Sequence, residues 1–184
     1  MQTHIQIPVG DEVLAGELFT PNVVTASIVV CHGWTSNNTK YLPLAHQLLK
    51  LGVLTFAINL RGMGDSMYSI EKYSRKDHLN DLLAAIDYVA KLNNKPIIVL
   101  GKSYGGYLSS LATDLRKIDF LILSQPALYP DVNFNSPNAE LIRNNPDIFR
   151  SRGEKIMSNK ALTAISLYKN PLYIIQSEHD ERST

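Results

Sequence analysis

The sequence predicts an α/β domain built on a doubly wound, mostly parallel sheet, and three observations carry that prediction. Short apolar runs recur at 27–31, 53–58, 96–100, 120–123 and 172–175. They do not alternate with polar residues, as expected of strands buried on both faces. Helical patterns separate most of them, so strand and helix alternate along the chain. Loops rich in glycine and reactive side chains follow the runs, where sheets of this kind carry their sites.

Each element can be justified in order. Residues 5–7 and 13–19 alternate apolar and polar around Pro8-Val9-Gly10-Asp11, which reads as an N-terminal β-hairpin. The segment 41–51 places Leu44, Leu48 and Leu51 on one helical face. A longer helix is expected over 75–92, with Leu79, Leu82, Leu83, Ile86 and Val89 on one face and Asp77 and Asp81 near its start. A third follows over 104–115. The stretch 130–170 is too long for a simple crossover and reads as a lid-like insertion. It carries weak helical patterns at 138–144 and 155–168, with Ser136-Pro137 as a helix start.

Bulk properties narrow the function classes. A chain of 184 residues without internal repeats is one domain, 1–184, with room for a substantial core. The net charge of +1 gives no general attraction to nucleic acid or a membrane surface. No apolar run approaches the roughly 18 residues that span a bilayer. A single cysteine, Cys31, cannot form an internal disulfide, and no secretory signal pattern opens the chain. A cytoplasmic protein is the expectation.

Chemistry concentrates in four segments. Gly101-Lys102-Ser103-Tyr104-Gly105-Gly106 stands directly behind the 96–100 run and opens a helical pattern. This is the arrangement of a nucleophile elbow, in which a strained turn pushes the serine hydroxyl above the sheet edge. His32-Gly33-Trp34-Thr35-Ser36 follows the 27–31 run. Backbone N–H groups of Trp34 and Tyr104 are candidate oxyanion donors for acyl transfer. The rings of Trp34 and Tyr107 are candidate walls of the substrate pocket. His32, at the end of a buried strand, reads as a loop-bonding histidine and not a base, and Cys31 as an inert core thiol.

Asn59-Leu60-Arg61-Gly62-Met63-Gly64-Asp65-Ser66 reads as scaffold for the rim, with Arg61 reaching backbone carbonyls or Asp65. In Gln176-Ser177-Glu178-His179-Asp180-Glu181, Asp180 is the first choice for the acid of a triad and Glu178 the second. No metal or organic cofactor is implied, because a base activates the nucleophile.

Taken together, these segments resemble the α/β-hydrolase superfamily over nearly the whole chain. The His-Gly-aromatic-Thr loop is similar to bacterial carboxylesterases of the feruloyl esterase and monoacylglycerol-lipase kind. Ser-Tyr-Gly-Gly-Tyr resembles the elbow of the prolyl-oligopeptidase family, whose large propeller has no room here. The resemblance implies hydrolysis of a small carboxylic ester through an acyl-enzyme, with Ser103 as nucleophile and Asp180 orienting a histidine. Alternatives are an aminopeptidase or thioesterase on the same fold, or a non-catalytic small-ligand binder. Asn59 stands where such families often carry Asp, a change expected to be structural.

The family's histidine lies beyond a further strand, whereas this sequence stops at Thr184. The expectation is therefore a fragment lacking the last strand and helix, inactive for want of that histidine, with an unusual base as the alternative. His4, His46 and His78 are expected away from the sheet's C-terminal edge. Self-association through the unpaired strand 172–175 is expected as well.

Overall fold

The computed structural model describes residues 1–64, 70–138 and 159–178. Seven strands form one sheet in the order β1-β2-β4-β3-β5-β6-β7. They are β1 (Gln2–Val9), β2 (Glu12–Phe19), β3 (Ala26–Cys31), β4 (Val53–Asn59), β5 (Ile97–Lys102), β6 (Phe120–Ser124) and β7 (Leu172–Ile175). The hairpin β1–β2 is antiparallel and joins β4 antiparallel, while β4, β3, β5, β6 and β7 run parallel. Because those five share one direction, the loops that leave them all emerge at the same sheet edge.

Helices cover both faces. On one side α2 (Arg75–Leu92), α3 (Tyr104–Ala112) and α4 (Lys160–Leu167) bury a core with Val29, Phe56, Ile58, Val99, Leu121 and Leu123. On the other, α1 (Leu42–Lys50) covers Ile28, Val30, Ala57 and Leu100. The odd and even residues of β3 thus serve two separate cores, which is why its sequence lacks alternation.

Local chemistry sets the helix starts. Ser74 Oγ accepts from the Asp77 N–H at 3.1 Å, and Asp77 Oδ2 accepts from the Ser74 N–H at 2.8 Å. This reciprocal cap fixes the start of α2 at the residue the pattern predicts. Asn159 caps α4 from one side only, its Oδ1 accepting from the Leu162 N–H at 2.8 Å.

Two expectations need adjustment. In α1 the buried face is Ala45 with Leu48, and Leu44 and Leu51 are exposed. The helix behind Ser103 stops at Ala112, and α4 is described from Lys160. The helix expected over 138–144 lies, apart from Asn138, outside the described residues; Pro137 bridges to Ser74. β7 is an edge strand, with Tyr173, Ile174 and Ile175 all more than half exposed.

Candidate active site

Strand β5 ends at Lys102 and α3 begins at Tyr104, so Ser103 alone makes the turn. Its backbone takes φ 50°, ψ −112°, a conformation that costs a non-glycine residue about 1–3 kcal/mol. Three hydrogen bonds hold it there. The Ser103 N–H donates to Ser124 O at 2.9 Å, and the Ser103 carbonyl accepts from the N–H groups of Ala127 at 3.0 Å and Tyr107 at 3.1 Å. The turn is so tight that a Cβ on Gly101 would lie 2.4 Å from Gly105 O. A Cβ on Gly105 would lie 2.2 Å from Cys31 O, so α3 rests directly on the end of β3.

That contact brings the loop after β3 alongside the serine. A Cβ on Gly33 would stand 4.0 Å from Ser103 Oγ. Trp34, the next residue, is half-buried and turns its ring edge-on to Tyr104 at 5.0 Å. Thr35 then bends the loop away at φ 53°. Tyr104 opens α3, so its N–H is one of the first four that have no acceptor within their own helix.

His32 is fully buried and both ring nitrogens are used. Nδ1 lies 2.8 Å from the Gly33 carbonyl, which can only accept, so Nδ1 carries the proton. Nε2 accepts from the Leu60 N–H at 3.1 Å. Burial holds its pKa down to about 4. His32 is a strap between the loops after β3 and β4, with no lone pair left for catalysis. Burial likewise pushes the Cys31 thiol far up, which keeps it protonated.

A second buried network lies under the same edge. His78 Nε2 donates to Arg61 O at 2.9 Å, so Nδ1 must accept, and Tyr104 Oη donates to it at 2.9 Å. Burial holds His78 down to about 4 as well. Arg61 Nε donates to Asp81 Oδ1 at 2.6 Å and its backbone N–H to Asp81 Oδ2 at 3.0 Å. The guanidinium also reaches Glu12 Oε2 at 2.7 Å. Burial pushes the Asp81 carboxyl up to about 6 against the pull of Arg61.

Several expected placements change. Arg61 reaches backbone carbonyls as expected, Val9 O at 3.4 Å and Asp77 O at 3.3 Å, and in addition pairs with Asp81 and Glu12; Asp65 lies outside the described residues. His78, expected away from the C-terminal edge, sits directly beneath it. The signal that could have found it is its position on the inward face of α2, one residue before Leu79 and three before Asp81. Tyr107 is 1 % exposed and packed between Tyr104 and Tyr129, so it supports the site from below and does not wall an open pocket. Asn59 keeps the structural role expected of it, accepting from the Asn38 N–H at 2.8 Å.

The remaining histidines stand elsewhere: His4 pairs with Glu17 on the hairpin, and His46 packs on Phe19 from α1. Glu178 is exposed just past β7, while His179 and Asp180 lie outside the described residues. Among the described residues no cluster of histidine, cysteine or carboxylates could hold a metal, and no helix is long and apolar enough to cross a membrane.

The sheet order, with a strained serine between β5 and α3, defines an α/β hydrolase. The chain belongs to the serine aminopeptidase, S33, family, whose model matches residues 22–182. It is 33 % identical over 89 residues to the uncharacterized protein YfhR of Salmonella typhimurium, a match covering 47 % of this chain and 30 % of that protein. Among solved structures it is similar to the α/β hydrolase GrgF from Penicillium sp. sh18, at 14 % identity and TM-score 0.66, covering 97 % of this chain and 90 % of that one. Est1E from Butyrivibrio proteoclasticus follows at 18 % identity and TM-score 0.69, covering 97 % and 79 %. The acylaminoacyl peptidase of Pyrococcus horikoshii is 19 % identical with TM-score 0.72, covering 100 % and 33 %. At these identities the likeness is one of fold.

Proposed function

We propose that this chain is a serine hydrolase that cleaves carboxylic esters through an acyl-enzyme. The observation that carries the reading is Ser103 in its strained turn, with the Gly33-Trp34 loop beside its hydroxyl. Ser103 Oγ attacks the ester carbonyl and gives its proton to a base; the oxyanion sits between the N–H groups of Trp34 and Tyr104. The base returns the proton to the departing alcohol, and water then resolves the acyl-enzyme by the reverse sequence. The described histidines are committed to other partners or stand elsewhere, so the base comes from outside the described residues, oriented by Asp180. Trp34 forms the wall of the acyl pocket.

A fluorophosphonate probe tests this. In a chain that carries its catalytic histidine it should label Ser103, and Ser103→Ala should abolish labelling; no labelling there, or labelling of another residue, refutes the reading. His179→Ala asks whether that residue is the base: loss of labelling assigns it, and retention points to a group elsewhere.

The family description favours a second reading, cleavage of a peptide next to its amino terminus. Comparing p-nitrophenyl acyl esters with aminoacyl-anilides separates the two, since faster anilide turnover would move the assignment to a peptidase.

A further inference from the structure

Arg75, the first residue of α2, is fully buried, yet among the described residues no carboxylate lies within ion-pair distance of it. A buried cation without a counter-ion costs several kcal/mol unless other groups replace its water. Here backbone does so for the two Nη groups, while the buried Nε has no partner among the described residues. Nη1 donates to Pro130 O and Nη2 to Val132 O, two carbonyls two residues apart. The guanidinium also lies 5.9 Å from the Tyr129 ring centre and 5.8 Å from that of Phe134. Lys76 adds its N–H to Phe134 O at 3.2 Å. The start of α2 therefore grips one end of the segment 125–134.

The other end of that segment touches the nucleophile. The Ala127 N–H donates to Ser103 O at 3.0 Å, and Pro126 packs where a Cβ on Gly106 would come within 3.0 Å of it. Between the two ends, Tyr129 sets its ring against Tyr104 at 5.5 Å and Tyr107 at 5.1 Å. Gln125 donates its N–H to Ile175 O at 2.8 Å, which fixes the first residue of the segment to β7. A strained turn survives only where its surroundings over-determine it. The Ala127 hydrogen bond is one of the three on the Ser103 backbone, and the segment that carries it is fastened by Arg75.

We propose that Arg75 is a positioning residue for Ser103, acting through segment 125–134. The proposal rests on Ser103 being the nucleophile. The planar guanidinium fork is what the geometry requires, because it serves two carbonyls at once where a lysine serves one point.

The test compares wild type with Arg75→Met and Arg75→Lys, well below their melting midpoints, by the saturation kinetics of a fluorophosphonate probe. A positioning role lowers the maximal labelling rate at least tenfold in Arg75→Met, leaves the probe concentration at half-saturation unchanged, and is partly rescued in Arg75→Lys. Folded Arg75→Met with the wild-type maximal rate overturns the proposal. Ala127→Pro removes the N–H at the near end, and in that background Arg75→Lys should have no further effect; additive losses would mean that Arg75 acts by another route and overturn it too.

Amide exchange gives a readout independent of activity. Arg75→Lys should speed exchange at Ala127 at least tenfold while Leu82, in the body of α2, stays as in wild type. This also serves if Arg75→Met does not fold. Unchanged exchange at Ala127 overturns the proposal, whereas wild type that resists the probe but shows the Ala127 effect leaves the fastening intact and refutes only the nucleophile.

Discussion

Replacing Gly105 by alanine should do more damage than its chemistry suggests. The new methyl would sit 2.2 Å from Cys31 O and 2.6 Å from His32 O. Both neighbours are backbone oxygens at the end of a buried strand, and neither can rotate aside. Relief requires α3 to move off β3 by about 1 Å, judged against ordinary van der Waals separations. Overpacking of this kind costs about 1–3 kcal/mol, and rigid backbone puts this case at the upper end. Alanine's better helix propensity returns at most about 1 kcal/mol. The net is a loss of about 2 kcal/mol, or roughly 4–8 °C in melting temperature for a chain of this size.

The same shift moves the Tyr104 N–H away from the Trp34 loop, and a 1 Å misplacement of catalytic groups costs on the order of a hundredfold in rate. Thermal unfolding followed by circular dichroism reads the first effect, and fluorophosphonate labelling of Ser103 the second. Gly106→Ala is the control. Its methyl would meet Pro126 at 3.0 Å and the Gly101 carbonyl oxygen at 3.3 Å, contacts that a shift of a few tenths of an ångström relieves, so its melting point should stay within about 3 °C. If Gly105→Ala melts with wild type and labels as fast, the packing of α3 on β3 does not set the site as argued.

Three further expectations can be checked together. Arg61→Lys should lower stability by about 2–4 kcal/mol in urea unfolding, because a lysine cannot serve Asp81, Glu12 and the Asp77 carbonyl at once; a loss below about 1 kcal/mol would refute this. His32 and His78 are neutral in the fold, held down to about 4 from 6.5, so the unfolded chain takes up protons between those values that the native one refuses. Their stability contribution is complete above pH 6.5 and is lost as pH falls toward 4, up to about 3 kcal/mol for each ring. Asp81, pushed up to about 6, works in the opposite sense over part of that range. Measured by urea unfolding across pH 4–7, His78→Gln should reduce the pH slope of stability by about one proton; an unchanged slope would contradict the burial argument. Finally, the exposed edge strand β7 should make the chain self-associate with rising concentration, and Ile174→Lys should shift light-scattering mass toward the monomer; indistinguishable masses would exclude β7 as the contact.

Much of the fold was legible because its signals are local. The apolar runs that become β3, β4 and β5 lack alternation because both faces are covered, and the reciprocal cap of Ser74 and Asp77 starts α2 where the pattern does. The strained turn at Ser103 was legible for a similar reason: only Gly101 and Gly105 permit the two close approaches, and both are written in the motif. What failed was less local. Leu44 and Leu51 fit a helical stripe as well as Leu48, but α1 meets the sheet through Ala45, a choice made by the partner surface.

The site shows the same division more sharply. Sequence spacing places Tyr107 one turn beyond Ser103, which suits a pocket wall or a core ring equally; the aromatic neighbours Tyr104 and Tyr129 decide for the core. His78 and Asp81 were read as ordinary helix residues because their partners, Tyr104 and Arg61, lie 26 and 20 residues away. Yet polar groups on the inward face of a buried helix must find partners or destabilise it by about 1–3 kcal/mol each. Their partners are Tyr104 and Arg61, the residues that follow the ends of β5 and β4. Polar residues on the buried face of α2 are thus explained by the loops they brace: one network fixes the ring of Tyr104, and through that ring the start of α3 on which Ser103 depends.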